Sequence, residues 1–210
     1  MKLLILLPAF LYHSAFSQKM KLDEVATKDE KGKACKIYYY SAPDHYQEVK
    51  LRLYTDGTFY YTLNTFNQNL FSEGRWIRKN KILMLNSTIQ DGKVPVEINY
   101  DIRDNHVKSG FPVGVVRNSK DEEMPDGLVC INNDSIKCAP SYALCDYSFD
   151  QIDRIKVVFE NGLTSAWIKI QNTEFKMITP IVKTQFLLRD YFQLINEKYI
   201  FTHKYIKNLR

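Results

Sequence analysis

Apolar and polar side chains alternate with a period of two along much of this chain. The clearest case is Glu48-Val49-Lys50-Leu51-Arg52-Leu53-Tyr54. Val49, Leu51 and Leu53 fall on one face, and Lys50, Arg52 and Tyr54 on the other, which predicts a strand with one buried side. Asp56-Gly57 follows as a hairpin turn signal, and Thr58 to Leu63 reads as the return strand. Lys36 to Ser41, Phe71 to Arg78 (with Trp76 facing inward) and Ile82 to Ser87 carry similar patterns. Together they predict an antiparallel meander over residues 34–92.

Beyond Gln90-Asp91-Gly92-Lys93, strand patterns resume at Val94 to Ile102, Ile152 to Phe159, Ser165 to Ile170, Phe175 to Ile178 and Ile181 to Leu188. The Asn161-Gly162 pair between two of them predicts a hairpin whose loop is longer than two residues. The tail reads two ways. Leu188, Tyr191, Phe192, Ile195 and Tyr199 fall at helical spacing, while Lys198 to Ile206 suits a strand equally well. The expected fold class is all-β: a meander followed by a β-sandwich over 93–210, with room for a short C-terminal helix.

Two segments resemble known families. Asp56-Gly57-Thr58-Phe59, Gly74-Arg75-Trp76 and Leu83-Met84-Leu85 resemble the pattern of lipocalin-like small secreted β-barrel modules. Gly110 to Val116 followed by Asp126 to Ile131 resembles the transthyretin-type sandwich of carboxypeptidase regulatory-like domains. The second resemblance implies a domain without catalytic residues.

The first 17 residues interrupt the strand pattern. Lys2 precedes the apolar run Leu3 to Tyr12, and small residues follow at Ala15 and Ser17. That order predicts a signal peptide over 1–17. Phe16-Ser17-Gln18 resembles signal peptides of Bacteroidota, in which Gln becomes the new N-terminus. The expected address is exported, periplasmic or extracellular, with no transmembrane segment in the mature chain. Residues 18–33 mix Lys with Asp and Glu and read as a flexible lead-in.

Composition narrows function chiefly by exclusion. The net charge of +5 is spread in mixed sign, so a clustered nucleic-acid footprint is not expected. The chain carries none of the common hydrolase or nucleotide-binding signatures. His45, His106 and His203 lack ligand-like neighbours, and Asp121-Glu122-Glu123 reads as a solvated loop. No cofactor and no catalytic or metal residue is expected.

The remaining signals are cysteines and aromatics. Four Cys in an exported chain point to disulfides. A three-residue hairpin loop at Asn133 to Ser135 sets Cys130 opposite Cys138, about 4.5–5.5 Å apart at Cα, which leaves Cys35 to pair with Cys145. A two-residue loop sets Cys130 against Lys137 instead. Tyr38, Tyr39, Tyr40, Tyr60 and Tyr61 place aromatics on both faces of their strands, a candidate surface for a protein or glycan partner. The leading expectation is a non-catalytic binding protein. A barrel-type carrier of an apolar ligand and a secreted hydrolase with a dispersed site are the alternatives.

Overall fold

The structure is a computed structural model that describes residues 19–28, 33–43, 46–101, 112–145, 149, 151–171 and 177–209. Its strands, in chain order, are β1 (Lys19–Lys28), β2 (Ala34–Ser41), β3 (Gln47–Tyr54), β4 (Thr58–Thr65), β5 (Asn69–Lys79), β6 (Ile82–Ser87), β7 (Val96–Asp101), β8 (Arg117–Asn118), β9 (Gly127–Ile131), β10 (Lys137–Cys138), β11 (Arg154–Phe159), β12 (Ile168–Lys169), β13 (Met177–Val182), β14 (Glu197–Phe201) and β15 (Tyr205–Asn208). The fold is all-β. The signal-peptide expectation lies outside the described residues.

The chain divides into two compact units, Met1–Thr88 with Phe192–Arg210, and Ile89–Tyr191. In the first, eight strands close into a barrel in the order β1-β15-β14-β6-β5-β4-β3-β2. β2 to β6 form the expected meander, each strand antiparallel to the next. Alternation does the sorting: Val49, Leu51, Leu53, Phe59, Tyr61, Leu63, Leu83 and Leu85 point inward and are buried. Tyr38, Tyr61 and Tyr199 are among the largest fully buried side chains. Tyr38 meets Phe201 edge-on at 5.9 Å between ring centroids, and Tyr61 meets Phe192 at 5.5 Å. Side chains fill the middle of this barrel, as expected where only eight strands close.

The interior also holds polar pairs. The Ser72 and Ser87 hydroxyls lie 2.7 Å apart, and Ser87 Oγ accepts the Leu194 amide at 2.6 Å. Asn208 Nδ2 donates to the buried Glu197 carboxylate at 2.5 Å. Burial pushes the Tyr38 phenol up to about 12, against an opposing pull from Arg78. Burial, helped by Glu197, raises Tyr61 as well.

Three expectations need correction here. Residues 19–28 are not a flexible lead-in but β1, which pairs with both β15 and β2. Met20 is buried inside the barrel, and Leu22 packs against the same core. The tail forms no helix beyond the single 3₁₀ turn Leu188–Asp190; β14 pairs with β6, and β15 pairs with β1. The boundary expected at 92/93 is also drawn differently, because the last two strands are needed to close the barrel and belong to the first unit.

The second unit contains two sheets. β10-β9-β11-β12 is antiparallel, and β7-β13-β8 joins an antiparallel pair to a parallel one. Val129, Ile131, Ile155, Val157 and Phe159 bury one face of the four-stranded sheet.

Candidate functional site

Residues whose alternation places them outside the barrel form an open groove of about 710 Å³ across β3, β4 and β5. Its lining includes Glu48, Lys50 and Arg52 from β3, Tyr60, Thr62 and Asn64 from β4, and Glu73 from β5. Register sets these in cross-strand rows. Lys50 faces Thr62, while Arg52 faces Tyr60, which in turn faces Glu73. At one end the floor is apolar: Cys35, Ile37 and Tyr54 are buried together on the outer side, with Tyr60 packed against them.

Cations cover the aromatic rings of this groove. Arg52 lies 5.7 Å from the centroid of Tyr60, and Lys33 lies 4.4 Å from that of Tyr54. Lys33 Nζ also pairs with Asp56 at 2.6 Å and donates to Thr58 Oγ1 at 3.0 Å. The hydrogen bonds from Lys33 and Thr58 hold the Asp56 carboxyl well below the usual carboxylate range. Tyr60 stacks on Phe71 at 5.8 Å. The result is a surface of mixed charge on a rigid wall, with its tyrosines held by neighbours.

The five tyrosines singled out in the sequence separate accordingly. Tyr38 and Tyr61 are buried in the barrel, and Tyr40 packs against its core. Tyr39 points outward opposite Lys50 and Lys21. Of the five, Tyr60 lines the groove. A single aromatic platform is therefore not formed, because neighbouring strand residues face opposite sides. The charged members, Lys50, Arg52 and Glu73, were not singled out from sequence, although the outward phase of the same alternation marks them.

The cysteine pairing is corrected too. Cys138 and Cys145 form the disulfide, with Cα atoms 4.4 Å apart, so Cys145 is not available to Cys35. Cys35 and Cys130 are buried thiols. Cys130 faces Lys137 across β9 and β10, and Cys138 faces Val129. The physical reason is the loop. Asn132, with φ +60°, and an Asn133 side chain that accepts the Ser135 and Ile136 amides make a connection of even length. An even loop puts Cys130 and Cys138 one residue out of register and on opposite faces. Burial raises the Cys130 thiol, against the pull of Lys156 and Lys137.

Other candidates resolve simply. His203 is exposed in the β14–β15 turn, and His45 and His106 lie outside the described residues. The acidic loop is tied to its own base. Arg117 pairs with Glu123 at 2.7 Å and with Asp121 at 3.3 Å, and Asn118 donates to Glu122 at 2.6 Å. Among the described residues, no three His, Cys, Asp or Glu side chains are grouped to hold a metal ion. No helix among them is long and apolar enough to cross a membrane. No family model matches the chain, nor does any curated protein or solved structure.

Proposed function

We propose that this chain is an exported, non-catalytic binding protein whose barrel wall receives a polypeptide segment of mixed charge. The observation that carries the reading is the groove itself: cations and carboxylates from β3 and β5 flank a tyrosine and a threonine on β4. A polypeptide supplies both charge signs and backbone hydrogen-bonding groups along one extended ligand. A neutral sugar would instead need open aromatic faces, and Arg52 and Lys33 lie over those rings. The carrier alternative wants an empty apolar interior, whereas Tyr61, Phe192 and Tyr199 occupy this one. The hydrolase alternative wants two carboxylates within reach of one bond, roughly 5–9.5 Å for a glycosidase. Register places the backbones of Glu48 and Glu73 two strands and four residues apart, about 16 Å by strand spacing. The N-terminal apolar run and the small residues after it support the exported address.

The test is a photo-crosslinking residue placed at Thr62, on the floor of the groove, in the full chain within its own cells. A discrete protein adduct is expected, and it should disappear when Lys50→Glu and Arg52→Glu are added. An adduct formed equally well from Ile77, which is exposed elsewhere on β5, or one indifferent to the charge reversals, defeats the reading.

A further inference from the structure

In the second unit, the side of the four-stranded sheet opposite Val129, Ile155 and Val157 gathers cations around a buried Cys130. Lys137, Cys130 and Lys156 lie in one cross-strand row over β10, β9 and β11. Two residues along β11 from Lys156 lies Arg154, which sits directly opposite Lys169 on β12. Like charges placed directly opposite each other destabilise a sheet. Here a guanidinium and an ammonium share that position, and both residues are exposed. The Trp167 ring lies on the same face, 4.4 Å from the Arg154 guanidinium and 5.0 Å from the Lys156 ammonium.

Compensation is sparse. Lys156 pairs with Asp134. The Arg154 guanidinium donates through Nε to the Asn132 carbonyl at 2.9 Å. Asp153, the neighbouring carboxylate, accepts from Gln151 at 2.7 Å. Among the described residues, Lys137 and Lys169 have no ion-pair partner. Among the described residues, four cations therefore share this side with one paired carboxylate, and the partly exposed indole meets two of them. Strand spacing sets the rows about 5 Å apart across the sheet and ~7 Å apart along it.

We propose that this face binds an acidic polysaccharide, one bearing carboxylate or sulfate groups along a chain of sugar rings. Arginine and lysine meet the anionic groups, the arginine through a fork that suits planar or tetrahedral oxyanions. The indole holds the Arg154 and Lys156 cations side by side, so anionic groups along the chain meet them as one cluster. Two other polyanionic surfaces fit less well. A single-stranded nucleic acid calls for a series of aromatic platforms along a basic track, and this face has one. A membrane surface calls for apolar side chains that insert among the lipids. Among the described residues, none of the exposed large hydrophobic side chains belongs to β9, β10, β11 or β12.

Heparin, titrated into the full chain while tryptophan fluorescence is followed, tests the proposal. Saturable binding is expected, with a fluorescence change that Trp167→Phe removes while Trp76 remains. Arg154→Ala with Lys169→Ala should weaken binding roughly tenfold and lower the salt-dependence slope by about two, one for each lost cation. Both residues are exposed, and circular dichroism checks that the double variant folds. Neutral dextran, single-stranded DNA and anionic phosphatidylserine vesicles are titrated alongside. No binding of heparin, equal binding by the double variant, or tighter binding of dextran, DNA or vesicles than of heparin overturns the proposal.

Discussion

Gly74 shows how closely the barrel wall is packed. A Cβ built there would run into the Asn86 carbonyl oxygen and come within 2.8 Å of Ser87 Cα, both backbone atoms of the adjacent strand. Neither can move without disturbing the β5–β6 ladder. Gly74→Ala should therefore cost about 3 kcal/mol, the upper end for overpacking. Gly92 has φ +73° but open space around its Cα, so Gly92→Ala should cost only about 1 kcal/mol. Urea unfolding of the two variants checks the order, and equal losses would show that the wall yields. Asp126 makes the opposite case. Burial raises its carboxyl pKa; Glu160 and Asp190 push the same way, while its own backbone amide and Arg189 oppose them. Apart from that amide, no donor among the described residues reaches its buried oxygens. In the unfolded chain the group ionises first as pH rises, so its contribution to stability is intact below the ordinary carboxylate pKa and is lost above it. Asp126→Asn should raise the melting temperature at neutral pH, with the gain shrinking as pH falls toward 4. A gain that grows on acidification would contradict this.

Period-two alternation made the strands of the meander legible, because residues on one barrel face share one environment. It also marked Lys50 and Arg52 as outward. β1 carries the same signal, since Met20 and Leu22 alternate with Lys19 and Lys21, but its charged surroundings read as solvated chain. The β9–β10 hairpin was misjudged for a different reason. Its register depends on whether the loop holds an odd or an even number of residues, and the turn signals at Asn132 to Ser135 fit both. The Cys138–Cys145 bond follows from the even choice. It closes a loop with a sequence separation of 7, for which chain entropy gives about 2 kcal/mol of stabilisation. Cys138→Ser should lose that amount, and non-reducing peptide mapping of the parent chain should return Cys138 joined to Cys145. A peptide joining Cys130 to Cys138 would restore the other register.

Which distant strands meet is not a local property, so the closure of the barrel by β14 and β15 left no trace in periodicity. Helix and strand templates both fit 188–206, and only the pairing of β14 with β6 decides between them. The seam has a temporal meaning as well. The chain leaves the barrel after Thr88 and returns at Phe192, and the Ser87 amide donates to the Leu194 carbonyl at 2.8 Å where the two ends meet. A ribosome that has made β1 to β6 has produced an open sheet with two unsatisfied edges, and it must deliver the whole of Ile89–Tyr191 before the missing staves emerge. If that intervening stretch condenses first, its ends are drawn together and the late strands arrive beside their docking edge. The order of synthesis thus makes the inserted unit a spacer that must be delivered before the barrel it interrupts can close.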